Sequence, residues 1–265
     1  MITFEDSAVE AICLANYDTD GNGVLMKSEA EAVTDMSNTF LKNTEIISFD
    51  ELEQFTNLES LGTRVDAPGS SNYGTFSGCT SLVSVKLPSS VKQLGSYAFY
   101  GCSALEDVGS LANVETVAQQ TFYQCANLSM VVNMPKLTLR NGGAIFYGSG
   151  ITGVGNLGSA NLGGGWNAGI FQNCTSLRFA ILPSSVTNIT GNDFSGCTAM
   201  QTLIMRNESP CTLGSLPTNI VSIYVPDASV DAYKEASGWS TYAAKIKPMS
   251  SVTSDALYSE FEEYL

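Results

Sequence analysis

The chain has 265 residues, of which 44% are hydrophobic and only 14% charged, with a formal charge of −14 and no histidine. That balance excludes a nucleic-acid footprint, which needs a basic face for the phosphates, and it disfavours anionic lipid surfaces. The missing histidine removes the commonest general base and metal ligand, and no run approaches the ~18 apolar residues of a membrane span.

Residues 1–45 read as a helix-loop-helix cap. The opening MITFEDSAVE lacks the basic-then-apolar start of a signal peptide. Ala8, Val9, Ile12 and Cys13 have helical spacing, and a second helical run covers Ala30 to Met36. Between them, Asp18 to Glu29 follows the EF-hand calcium loop. Asp18, Asp20 and Asn22 offer side-chain oxygens, Gly23 the sharp turn, Val24 a backbone carbonyl and Glu29 a closing carboxylate. The expectation is one structural Ca2+ clamping the cap. The competing reading is a metal-free loop of local turn hydrogen bonds.

Residues 46–226 read as a solenoid. Phe-x-x-Cys-x-x-Leu starts at Phe76, Phe99, Phe122 and Phe171, and at Phe194 with Met200 in the Leu place. A further copy from Phe146 has Ser149 where the others have Cys. The Phe-to-Phe steps are 23, 23, 24, 25 and 23 residues. A fixed period of this size predicts a β-rich leucine-rich repeat solenoid with small helical N-terminal and C-terminal caps. One such coil cannot bury its apolar edge alone, so stability must come from stacking. In the opening coil, Leu52, Phe55, Leu58 and Leu61 align with Phe76, Cys79, Leu82 and Val85, ahead of a polar connection at 63–75. In each later coil a turn leads to a strand such as Leu82–Leu87, which Pro88 ends because proline cannot donate to a ladder. Five of the seven cysteines share one repeat position and are expected as free thiols in a narrow core corner.

Between Leu137 and Phe171 the coil is glycine-rich and holds Trp166, which suggests a surface feature. Gly153 to Gly158 spells G-x-G-x-x-G, but no helix opens at it, so a dinucleotide site is not expected. Ile220–Pro226 is the last strand of the array. A cap follows at 227–249, with a helix over Ser229–Ala236 and then Trp239. The acidic tail 250–265 places Leu257, Phe261 and Leu265 on one helical face, suited to docking on the body or on a partner.

These blocks resemble the BspA-like leucine-rich repeat family of bacterial surface proteins over about residues 4–248. The resemblance rests on FSGCTSLVSVKLPSSVKQLGSYAF and its copies, on the closing IYVPDASVDAYKEASGWSTYAAKIKP, and on the front segment AICLANYDTDGNGVLMKSEAEAVTDM with TEIISFDELEQFTNLESL. It implies a right-handed coil presenting a sheet, adhesion to host proteins or cells, an extracellular or cell-surface location, and no catalytic residues. The chain departs from the pattern at Ser149, in its glycine-rich fourth repeat and at its start.

Side chains between the buried ones of each strand are expected to face outward. One column reads Ser84, Asp107, Met130, Gly153, Phe179, Thr202 and Ser222, and the other Lys86, Gly109, Val132, Gly155, Ile181, Ile204 and Tyr224. Met130, Val132, Phe179, Ile181, Ile204 and Tyr224, with Trp166, make a candidate partner-binding surface. Ordinary β-propensity would place the same residue types there. The function expected is a non-enzymatic binding or adhesion module for a protein or cell-surface ligand. The alternative is a decoration or fibre component of a larger assembly such as a phage particle. The oligomeric state does not follow from the sequence.

Overall fold

A computed structural model describes residues 1–62, 74–140, 143–162 and 169–265. Each Phe-x-x-Cys segment folds as a tight turn in which the Cys N–H donates to the Phe carbonyl at 3.0–3.3 Å. The residue before Cys takes a left-handed backbone, with φ of +77° at Gly78 and +79° at Gly196. Glycine adopts that region without steric cost, and Asn173 occupies it at φ +63°.

Successive turns stack. The Phe N–H and the N–H two residues later donate to carbonyls of the following turn, as in Phe99 to Thr121 (2.9 Å) and Gly101 to Tyr123 (2.8 Å). The rings of Phe40, Phe76, Phe99, Phe122, Phe146, Phe171 and Phe194 form one file with centroids 5.2–5.8 Å apart. Beside it runs a file of buried free thiols. Each thiol donates back to the Phe carbonyl of the preceding turn, Cys125 to Phe99 at 3.1 Å and Cys197 to Phe171 at 3.0 Å among them. Ser149 fills the same slot, its Oγ 3.6 Å from the Cys174 Sγ.

Among the described residues all strand pairs are parallel, and within each sheet neighbouring strands come from successive coils. The largest sheet has six strands in chain order: 131–133, 153–156, 179–182, 202–205, 222–225 and 246–248. A second, four-stranded sheet joins 60–61, 93–94, 116–117 and 139–140. The chain is a β-solenoid of about six coils with small helices at its ends.

The opening coil differs from its expected alignment. Phe40, not Leu52, stacks on Phe76, and Phe49 pairs with Val85. Leu61 pairs with Leu94. Phe40 and Phe76 lie 36 residues apart, more than one period, so stepping back one period from Phe76 misses the register; residues 63–73 of the expected connection lie outside the described residues.

Helix α1 (Ser7–Tyr17) closes the N-terminal end with Val9 and Cys13 buried. Asp6 caps it through Oδ1, which accepts from Ala8 N–H at 2.9 Å, while Oδ2 accepts from Ile47 N–H at 2.6 Å. One carboxylate thus ties the helix to the first coil. Helix α2 (Lys27–Glu31) opens within the acidic loop and ends before most of the expected run Ala30 to Met36, where Asp35 instead bridges to Ser60. At the other end, helix α3 (Val230–Glu235) seats Tyr233 edge-on against fully buried Trp239, whose indole N–H donates to the Cys211 carbonyl at 2.7 Å.

Candidate functional site

The expected partner surface is not solvent-exposed. Phe179, Ile181, Ile204 and Tyr224 do point away from the main core, but at 0–2% exposure they form a second apolar cluster with Val252, Leu257 and Phe261. The cover is the chain's own tail, ending in helix α4 (Tyr258–Phe261) and the turn after it. Polar contacts pin its flanks. Arg178 pairs with Glu260 at 2.6 Å, Thr202 Oγ1 donates to Asp255 at 3.1 Å, and Arg206 donates to the Tyr264 carbonyl at 2.6 Å.

Two further surface expectations need correction. Val132 turns inward and is fully buried in the main core, and Met130 packs partly buried against that core. Val131 is the residue paired with Gly153 in the outward column. The 24-residue step from Phe122 to Phe146 carries its extra residue ahead of this strand, and a slip of one residue exchanges the faces of a strand. Trp166 lies outside the described residues.

The glycines of the fourth repeat have a packing reason. A Cβ at Gly153 would stand 2.3 Å from the Phe179 ring, and one at Gly155 would stand 2.5 Å from the Tyr264 ring. Both belong to the strand Gly153–Asn156, whose neighbours are strands and not the helix a dinucleotide fingerprint requires.

One surface feature escaped sequence reasoning. Tyr100, Tyr123 and Tyr147 each follow a ladder Phe, and their half-buried rings stack with centroids 4.9 and 4.8 Å apart, within 9° of parallel. Tyr97 meets Tyr100 edge-on at 5.7 Å, and Asn173 donates to the Tyr147 hydroxyl at 2.8 Å. The Phe-Tyr dipeptide repeating at 99, 122 and 146 was the available signal.

In the acidic loop, Asp18, Asp20 and Glu29 bring one carboxylate oxygen each within 4.8 Å of one another. Asn22 stands beside them, its amide donating to Asp20 at 2.8 Å and its Oδ1 accepting from Val24 N–H at 2.9 Å. Gly23 turns the chain at φ +80°. Glu29 Oε2 accepts from Met26 N–H, and Oε1 from Thr19 N–H and hydroxyl. These donors, Met26 first, hold its carboxyl below the usual range. The donor set is oxygen throughout, which suits a hard divalent cation.

The cysteines offer no nucleophile. Burial pushes the thiols of Cys79 and Cys174 up to about 12, so they stay protonated at neutral pH.

The model of the BspA type leucine-rich repeat region matches residues 70–157 and 166–226, in six copies. The chain belongs to this family. Its members are repeat proteins that generally bind other proteins and are typically non-enzymatic. Similar solved structures include a leucine-rich repeat protein from Bacteroides ovatus, 22% identical over 65% of this chain and 49% of that one, with a TM-score of 0.41. The chain therefore spans about half the length of that protein. The T. pallidum leucine-rich repeat protein is 19% identical over 80% of this chain and 76% of its own, also at a TM-score of 0.41. A leucine-rich cell surface protein from Faecalibacterium prausnitzii is 20% identical over 64% and 62%, with a TM-score of 0.20. The search of curated proteins returned no match. Among the described residues, no helix is long and apolar enough to cross a membrane.

Proposed function

We propose that this BspA-type chain is a non-enzymatic binding module that presents its repeat edge to a protein or cell-surface ligand outside the cell. The observation that carries the reading is the stacked row Tyr100–Tyr123–Tyr147, which regular coil packing holds half-exposed. Tyrosine is enriched at protein interfaces because it offers rigid apolar area and a hydroxyl at low entropic cost. The row replaces the tail-covered sheet as the contact surface. Binding of the labelled chain to immobilised extracellular-matrix proteins, a glycan array and whole epithelial cells tests this. The triple variant Tyr100→Ser, Tyr123→Ser, Tyr147→Ser should lose the binding while keeping the native circular dichroism. Undiminished binding by a folded triple variant would reject the row as the contact. Fixed-stoichiometry co-purification with a particle would favour the assembly-component reading.

The acidic loop is read as a structural calcium site held by Asp18, Asp20, Asn22, the Val24 carbonyl and Glu29. Bound calcium would neutralise three converging carboxylates and fasten helix α1 to helix α2.

A further inference from the structure

The turn ladder leaves open hydrogen-bonding groups at both of its ends. From Phe76 to Phe171, every turn donates twice to the next, ending with Phe171 N–H to Asp193 (3.1 Å) and Asn173 N–H to Ser195 (2.7 Å). The turn at Phe194 has no successor. In the following coil the stretch from Leu213 to Ile220 is four residues shorter than its counterpart from Ile189 to Met200 and lacks the Phe-x-x-Cys turn. Phe194 N–H and Gly196 N–H, the two donors of the ladder pattern, therefore meet no acceptor among the described residues.

They line a notch of about 270 Å³ between Ser195 and Thr198 on one side and Ser215 and Asn219 on the other. Gly196 is exposed there. The occupant that satisfies the notch is set by the preceding steps: a turn whose carbonyls flank a central residue. The chain displays that group at its other end. Thr39 and Leu41 flank Phe40, the first ring of the file, and their carbonyls accept no hydrogen bond among the described residues.

We propose that copies of this chain associate head to tail, with Phe194 and Gly196 N–H of one donating to the Thr39 and Leu41 carbonyls of the next. The contact continues the inter-turn ladder across two molecules. It joins two different surfaces, so it can propagate rather than close as a two-fold dimer does. Each copy carries −14, so added salt, by screening the repulsion, should strengthen the association.

Sedimentation velocity of the full chain over roughly 10 µM to 1 mM, the range of a small contact, tests this. The weight-average mass should rise with concentration, and more steeply at higher salt. Ser195→Arg fills the notch and Asn38→Arg crowds the opposite end; both positions are exposed. Each variant alone should stay monomeric, and an equimolar mixture should stop at a heterodimer, because each supplies the end the other has lost. Thr218→Arg provides a second notch block should Ser195→Arg misfold. A folded wild type that stays monomeric throughout would overturn the proposal. So would blocked variants that associate as the wild type does, or a mixture that forms no heterodimer.

Discussion

Phe261 lies against Phe179 with ring centroids 5.4 Å apart, and both side chains are almost wholly removed from solvent. The contact joins the tail to the outward face of the six-stranded sheet, turning an apolar stripe into interior. A bare stripe of this kind marks a binding site or an aggregation hazard; the tail removes both possibilities while it is docked.

Truncating this anchor has a direct consequence. Phe261→Ala should cost about 3 kcal/mol, in the range for a buried aromatic, and should expose the cluster to hydrophobic dyes. Urea denaturation and dye fluorescence measure both effects. Arg178→Ala, which breaks the half-exposed pair with Glu260, should cost no more than about 1 kcal/mol. Equal costs for the two variants would mean that charge, not burial, holds the tail.

The thiol file should tolerate serine better than larger apolar residues. Cys125 is fully buried and its thiol donates to the Phe99 carbonyl, an acceptor a serine hydroxyl can also use, and Ser149 shows that a buried serine fits the slot. Cys125→Ser should cost about 1 kcal/mol and Cys125→Leu roughly 1–3 kcal/mol through overpacking. Native thiols should stay unreactive towards a disulfide reagent until urea unfolds the chain.

The period, the files of Phe and Cys, and both end caps were readable because stacking demands the same side chain at the same place in every coil. Three things were not readable. The register of the opening coil was missed because Phe40 and Phe76 stand 36 residues apart, and period counting needs an unbroken period. The facing of Val131 and Val132 depends on where one extra residue is absorbed, which alternation does not specify. The cover over Phe179, Ile181, Ile204 and Tyr224 depends on residues from Val252 onward, 28 or more residues beyond Tyr224 in the chain. Leu257 and Phe261 of the tail's amphipathic pattern supplied one half of that match, while Leu265 stays exposed, and Gly155, under the Tyr264 ring, supplied the other.

Acid should loosen the N-terminal cap. Partial burial pushes the Asp6 carboxyl up, but N–H donors from Ile47, Ser48, Ala8 and Val9 outweigh it and set its pKa below the ordinary value. A carboxyl with a depressed folded-state pKa stabilises fully above its unfolded pKa, and that contribution is lost as pH falls through the folded pKa. Melting temperature should therefore fall as pH drops below about 4. Asp6→Asn, which keeps a capping oxygen, should weaken this acid dependence, whereas Asp6→Ala should cost about 1 kcal/mol at neutral pH as a lost cap. Hydrogen exchange at Ile47 and Ser48 locates the effect.

Calcium should act on the same cap from its other side. At about 100 times its dissociation constant a bound ion adds roughly 2.7 kcal/mol, and Asp18→Ala should abolish that gain. Thermal melts with and without the ion are sufficient. Identical melts for both chains in calcium and in chelator would leave the loop as a set of turns.

The most direct test of the stacked architecture is a nuclear Overhauser spectrum of the chain labelled at its phenylalanine rings. The stacked file should give one unbroken walk from Phe76 through Phe99, Phe122, Phe146 and Phe171 to Phe194, with a separate Phe179–Phe261 cross-peak from the docked tail. Ring protons of successive repeats showing no mutual contacts, or a Phe261 ring free in solvent, would contradict it.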